Sequence, residues 1–340
     1  MEKILEIKNL RVSYHTYAGE VQAVRGVSFD VNRGKTLAIV GESGCGKSVT
    51  SKTIMGLIPT PPGEIKEGSK ILFDGKNILE QSEKEWCDYR GSQCSMIFQD
   101  ALTSLNPTMN IGKQIVENIR NHNKIDKAEA RKRAMTMLRL AGIPDEEMCM
   151  KKYSHELSGG MRQRVIIAIA LSGNPKVLIA DEPTTALDVT IQAQIIELMK
   201  SIQEQFGTTI ILITHDLGVV ADIADRIVVM YSGKVVEEGK SREIFFGHKH
   251  PYTWSLLKAA PSLELGKEEK LVSIEGTPPD LIDPPVGCPF AARCKYCMKA
   301  CLEAMPPQFE FEEEHKVACW LYHPESGYAN IRFEEETEDE

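Results

Sequence analysis

The sequence predicts an α/β fold organised around a parallel sheet, and three observations lead there. The apolar runs "TLAIV" (36–40), "KVLIAD" (176–181) and "TIILIT" (209–214) read as strands buried on both faces. The first run passes through a glycine loop directly into a helix. The stretch "IQAQIIELMKSIQEQF" (191–206) sets Ile191, Ile195, Leu198, Met199, Ile202 and Phe206 on one face, the pattern of a crossover helix covering a parallel sheet.

The elements follow in order. Two strand candidates, "ILEIKNLRVSY" (4–14) and "AVRGVSFDV" (23–31), open the chain. The loop after "TLAIV" matches G-x-x-x-x-G-K-S from Gly41 to Ser48, the phosphate-binding pattern. Its members Gly41, Glu42, Ser43, Gly44, Cys45 and Gly46 are expected to turn successive N–H groups inward onto anionic oxygens. The following helix, entered through Lys47, Ser48 and Val49, adds its positive end. Lys47 should reach the β- and γ-phosphates of a nucleotide, and the Ser48 hydroxyl should ligate Mg²⁺. The stretch from about 100 to 165 should be mostly helical, with "KAEARKRAMTMLRLAGI" (127–143) apolar at helical spacing and Met135 and Met137 as core filling. "RIVVMYSGKVVEEG" (226–239) reads as a hairpin turning at Ser232–Gly233.

A phosphate loop alone says nucleotide. The stretch "LSGGMRQRVIIAIAL" (157–171) says more, and through it the sequence resembles the ATP-binding cassette (ABC) ATPases. Ser158, Gly159 and Gly160 form a second anion-binding helix N-terminus. The resemblance implies that it closes over the γ-phosphate held by a partner subunit. It further implies that Asp181 holds the magnesium shell and that Glu182 orients and deprotonates the attacking water. His215, at the end of "TIILITHD" (209–216), would contact the γ-phosphate. Asp188 belongs to "ALD" (186–188), which resembles the loop signalling between paired sites. Gln99, in "MIFQDALTSLNP" (96–107), matches the glutamine that bonds the metal or its water, and Tyr14 the aromatic that stacks on adenine. The sequence departs from the pattern at Ala101, where proline is common, and at Cys45, where serine is common; neither removes a side chain the chemistry needs.

Beyond residue 247 the segment "HPYTWSLL" (250–257) resembles the extension on ATPase subunits of dipeptide and oligopeptide importers. Residues 1–247 would then form the nucleotide-binding cassette and 248–340 a small extension. In it, five prolines within 278–289 exclude a regular helix or central strand. Five of the nine cysteines lie between Cys288 and Cys319. Cys288, Cys294, Cys301 and Cys319 are separated by five, six and seventeen residues. All-thiolate ligation suits iron–sulfur or zinc, and the spacing chemistry does not choose between them. The family resemblance implies a 4Fe-4S cluster on those four. It would act as a staple for a tail too small to build its own core, with a redox or oxygen sensor as the alternative. Cys297 is then a bystander and His315 a weaker ligand candidate, while Cys87, Cys94 and Cys149 read as ordinary buried thiols.

Composition bounds the rest. The chain has 340 residues, 42% apolar and 26% charged, with a net charge of −9. That charge argues against a nucleic-acid partner held by bulk phosphate neutralisation. Six of the last seven residues (334–340) are acids, read as a solvated tail. The N-terminus, "MEKILEIKNL", lacks the basic and apolar regions of a signal peptide, and no run is long enough to span a bilayer. The protein is therefore expected at the cytoplasmic face of the cell membrane, tied there by other chains. The resemblance implies two transmembrane permease subunits, a second and different ATPase subunit, and, indirectly, an extracellular peptide-binding protein. The extension's resemblance implies dipeptides or oligopeptides as cargo, with nickel or another small solute of the same branch as the alternative. A soluble, non-transport cassette ATPase is the rival class, disfavoured by a single cassette with no long insertion between Ser48 and Leu157.

Overall fold

The computed structural model describes residues 2–100, 104–185, 187–259, 274–311, 314–327 and 333. Ala101, Ala186 of the "ALD" stretch and the acidic tail 334–340 lie outside them.

Two sheets face each other. The first is antiparallel: β1 (Lys3–Thr16) pairs β2 (Gly19–Asn32), β4 (Gly63–Ile65) and β5 (Lys70–Phe73), with β6 (Lys76–Asn77) beyond β5. The second has the expected parallel core. That core runs β10 (Arg226–Tyr231), β3 (Thr36–Val40), β9 (Thr209–Ile213), β8 (Val177–Asp181) and β7 (Cys94–Ile97), every neighbouring pair parallel. β3 and β9 are buried at every residue, as continuous apolar runs demand. Between the sheets Leu5, Val12, Ile54, Ile71, Ile179 and Ile211 form one core.

β11 (Lys234–Lys240) returns antiparallel to β10. The turn comes at Ser232 and Gly233, with φ 46° and 75°, the paired left-handed conformation a two-residue hairpin requires. Two short strands from the far end of the chain, β12 (Phe309–Glu310) and β13 (Lys316–Val317), then extend this same sheet, with β13 pairing β11.

α1 (Lys47–Ile54) follows the glycine loop, and α2 (Glu83–Tyr89), with a Ser82–Glu85 capping box, precedes β7. The helical stretch between β7 and β8 comprises α3 (Ile111–His122), α4 (Lys127–Leu140), α5 (Glu146–Lys151) and α6 (Gly159–Ser172). Asn110, Asp126, Asp145 and Ser158 cap their N-termini. Ile115, Ile119, Ala134, Leu138 and Ile167 pack them onto the sheet through a second core. The crossover helix α7 (Val189–Phe206) buries Ile195, Leu198, Met199 and Ile202 as its pattern predicts. Its last member fails: Phe206, the final residue before Gly207 ends the helix, is 41% exposed and lies beyond the core that its face joins. Cys87 also departs from expectation. It is exposed on α2, whereas Cys94 and Cys149 are buried as read.

α8 (Leu217–Ile223), α9 (Ser241–Gly247) and α10 (Pro251–Lys258) follow, and α11 (Lys299–Glu303) lies in the cysteine segment. The proline-rich stretch is irregular throughout 274–290, as its composition requires. Among the described residues, no helix is long and apolar enough to cross a membrane.

Candidate nucleotide site

The glycine loop rises from the buried end of β3. Gly41 has φ 147°, and a Cβ there would lie 2.1 Å from the Met230 carbonyl oxygen, so no larger residue fits. Gly46, at φ 101°, closes the loop in the same way: a Cβ would sit 2.5 Å from the Ala23 carbonyl oxygen. Between them the loop turns into α1. The Lys47 side chain is buried and folds back over the loop, its Nζ donating to the carbonyls of Gly41 (2.6 Å) and Glu42 (2.9 Å). Ser48 Oγ donates to Asp181 Oδ1 at 3.0 Å. Cys45 is buried, and burial pushes its thiol up despite the neighbouring Lys47 ammonium.

Asp181 ends β8. Burial raises its pKa, with the Ser48 hydroxyl opposing the shift. Glu182 follows with φ 50°, a conformation a side chain of this kind rarely adopts, held by its own N–H donating to the Ile213 carbonyl (2.8 Å). That turn lifts the carboxylate into a ring of partners. Gln99 Nε2 (2.8 Å) and Thr185 Oγ1 (2.9 Å) donate to Oε2, and His215 Nδ1 stands 3.3 Å from Oε1. His215 is 63% exposed, so its outer nitrogen faces solvent while the inner one addresses Glu182. Lys47, Ser48, Gln99, Asp181, Glu182 and His215 thus come from separate elements to one place. Thr185 joins Glu182 although nothing in the sequence reading singled it out.

Other predicted residues occupy helix ends and strand edges. Ser158 Oγ accepts the Met161 N–H and opens α6 with Gly159 and Gly160; a Cβ on Gly160 would approach Ile191 at 2.9 Å. Asp188 caps α7 through the Ile191 N–H (3.0 Å). Tyr14, on β1 opposite Val21 and Gly63, is half-buried, and burial raises its phenol pKa. Among the described residues, no hydrogen bond joins Tyr14, Ser158–Gly160 or Asp188 to the Glu182 set.

The cysteine segment folds onto the flank of the cassette. The Cys288 N–H donates to the Cys301 carbonyl at 2.8 Å, and Cys319 is close enough to Cys288, Cys294 and Cys301 to feel their charge. Burial first, then these neighbours, push Cys288 up to about 11, Cys294 to about 12 and Cys319 higher still. Cys297 is exposed. Among the described residues, no three His, Cys, Asp or Glu side chains stand in a metal-ligating arrangement. His315, the weaker ligand candidate, is instead committed to Glu237: its Nε2 lies 2.7 Å from Glu237 Oε1, and both residues are buried.

Sequence reasoning also missed two side chains on the loop. Arg293 grips the Glu42 carboxylate with both terminal nitrogens (2.6 and 3.0 Å), and the Tyr252 hydroxyl accepts the Glu42 N–H (2.8 Å). Tyr252 lay in view inside "HPYTW", whereas Arg293 belongs to no motif.

This fold and site define an ABC-type ATPase. A family model described as "ABC transporter" matches residues 24–185, and one described as "Oligopeptide/dipeptide transporter, C-terminal region" matches 236–301. The oligopeptide transport ATP-binding protein OppD of Bacillus subtilis is 58% identical over 324 residues, 95% of this chain and 90% of that protein. The dipeptide transport ATP-binding protein DppD of Lactococcus lactis is 55% identical over 95% of this chain and 92% of its own. Among solved structures, the ATP-binding cassette MJ0796, dimeric and bound to ADP and Pi, superposes with a TM-score of 0.62 at 29% identity. The match covers 70% of this chain and 99% of that one. The chain belongs to the family of ATP-binding subunits of peptide ABC transporters.

Proposed function

We propose that this chain hydrolyses ATP to power import of dipeptides or oligopeptides through an ABC transporter, at the cytoplasmic face of the membrane. The observation that carries the chemistry is the Glu182 carboxylate, held by Gln99, Thr185 and His215 beside Ser48 and Asp181. The peptide cargo rests on the relatives' names and on the C-terminal extension the family shares.

Each residue has a part. The Gly41–Ser48 amides and the start of α1 receive the phosphates, and Lys47 exchanges its two carbonyl partners for phosphate oxygens. Tyr14 stacks on the base. Glu182 accepts the proton of the attacking water, with Gln99 and Thr185 fixing its orientation and His215 reaching the γ-phosphate. The Ser48 hydroxyl and the Asp181 carboxylate, facing each other at 3.0 Å, are hard oxygen donors that fit Mg²⁺, with Gln99 beside them. When bound, that ion neutralises charge developing on the phosphates.

Ser158, Gly159 and Gly160 supply the other half of a site. In this reading they close over nucleotide on a second, different ATPase subunit, with Asp188 between the two sites. The Gln99 loop and α3–α6 would bear on two permease subunits, and an extracellular binding protein would deliver cargo. No nucleic acid takes part.

Cys288, Cys294, Cys301 and Cys319 are the residues to hold a 4Fe-4S cluster. Thiolate is the donor type such a cluster takes, and the burial that raises the pKa of Cys288, Cys294 and Cys319 supports a dry site. A metal's positive charge would offset that burial and favour the thiolates. About four irons and four sulfides per chain after anaerobic purification supports this; one zinc without sulfide replaces it with a structural zinc site.

Glu182→Gln tests the ATPase reading. Turnover should fall at least ~100-fold with ATP binding retained. Hydrolysis near the wild-type rate would remove Glu182 from the role of base.

A further inference from the structure

We propose that Arg293 and Tyr252, both outside the ATPase cassette motifs, are positioning residues for the nucleotide loop, setting ATP affinity through Glu42. The proposal does not rest on what the cysteines hold.

Four residues converge on Glu42, the second residue of the loop. Its carboxylate takes the two-pronged Arg293 bond, Nη1 to Oε2 at 2.6 Å and Nη2 to Oε1 at 3.0 Å. Its N–H donates to the Tyr252 hydroxyl. Its carbonyl accepts from the Lys47 ammonium and from the Cys45 N–H (3.3 Å). The residue that receives the phosphate-seeking lysine is therefore clamped from outside the loop, by side chains 210 and 251 positions away in sequence.

The clamp is itself rigid. The Arg293 side chain is 4% exposed, and its other bonds run to the Tyr231 hydroxyl (2.9 Å) and to the carbonyls of Glu275 (2.8 Å) and Ile274 (3.0 Å). Tyr252 is fully buried and packs against Tyr231 and Phe290. The proline-rich segment lies alongside. The Leu281 carbonyl accepts the Gln22 N–H (2.8 Å), and Pro278, Pro279 and Leu281 line a 150 Å³ cleft against Ser43 and Gly44. A phosphate loop binds well only if its amides already converge before the anion arrives, because ordering them on binding subtracts from affinity. A planar guanidinium fork on a carboxylate fixes orientation as well as charge, which a lysine does not reproduce. If Arg293 merely docked the extension, ATP would be indifferent to the difference between arginine and lysine there.

The experiment measures ATP affinity by calorimetry on the full chain with Mg²⁺, alongside the thermal midpoint without nucleotide. R293K, which keeps the charge and loses the fork, should weaken ATP about fivefold, and R293A about tenfold. Y252F, which removes only the acceptor for the Glu42 N–H, should weaken it about threefold. E42Q combined with R293K should bind no worse than the weaker single variant, as expected of two groups in one contact. The proposal is overturned if R293K and Y252F bind ATP within twofold of wild type, or if the E42Q and R293K effects multiply. If R293A fails to fold, R293K and Y252F still decide the matter.

Discussion

The nucleotide site and the cysteine-bearing extension are stabilised in opposite ways. The site stands on fully buried parallel strands and capped helices, and its functional side chains sit where those elements end. The extension has little regular structure among its described residues. Its strands are two residues long and its turns are short; small apolar clusters around Phe290, Cys301 and Leu321 and a few buried polar contacts hold it. Where many equivalent apolar contacts share the load, each position carries a small part of it. Where a small apolar cluster and a few polar contacts share it, each contact carries a larger part.

The sharpest way to break this contrast is within the site, at its backbone. Gly41→Ala would place a Cβ 2.1 Å from the Met230 carbonyl and at a φ unfavourable to any side chain. The loop must move off β10, so ATP binding should be lost altogether while the strands beneath persist. Calorimetry with ATP and far-UV circular dichroism on the same sample check it. Retained ATP affinity would show that the loop tolerates the displacement.

The next effect belongs to the extension. Glu237 on β11 is wholly buried, and its carboxylate accepts the N–H groups of Lys249 (2.6 Å) and His250 (3.0 Å) while meeting His315 Nε2. One side chain joins the cassette sheet, the start of α10 and the strand β13 that the extension contributes. Glu237→Ala leaves a buried and a half-buried amide and a histidine without their partner, a loss of about 3 kcal/mol. Protease sensitivity should rise in residues beyond 247 while the cassette stays resistant. Uniform loss across the chain would mean the two regions unfold as one unit.

These differences also decide what was legible in the sequence. The parallel strands, the crossover helix and the Ser232–Gly233 hairpin could be read because period, length and turn chemistry repeat over many residues. Gln99, Asp181, Glu182 and His215 could be assigned through the family resemblance, because they fall after strands at the positions where its motifs carry them. Arg293 could not: its partners lie on Glu42, Tyr231 and two distant carbonyls, and no local pattern encodes a contact across 251 positions. Glu237 looks like an ordinary strand-edge acid until β13 and His315 cover it. Phe206 misled for the reverse reason, since helical periodicity continues past the point where the sheet beneath ends.

The smallest predicted effect sharpens the contrast through pH. His250 is fully buried, its Nδ1 accepts the Tyr252 N–H at the start of α10, and burial lowers its pKa to about 4 against the attraction of Glu237. The folded state therefore resists protonation that the unfolded state accepts near pH 6.5. Stability from this group is complete above that value and is lost as pH falls towards 4. His248, also lowered by burial, acts in the same direction, and Glu237 and His315 complete the charged groups facing the site. Between pH 7.5 and 5.5 the His250 contribution should cost about 1 kcal/mol. His250→Asn keeps an acceptor suited to the helix N-terminus and removes the titration, so the stability of that variant should depend less on pH by this amount. Denaturant melts of both proteins at the two pH values measure it. An unchanged pH dependence in the variant would mean that water or a neighbouring acceptor reaches the buried ring and lets it protonate in the folded state.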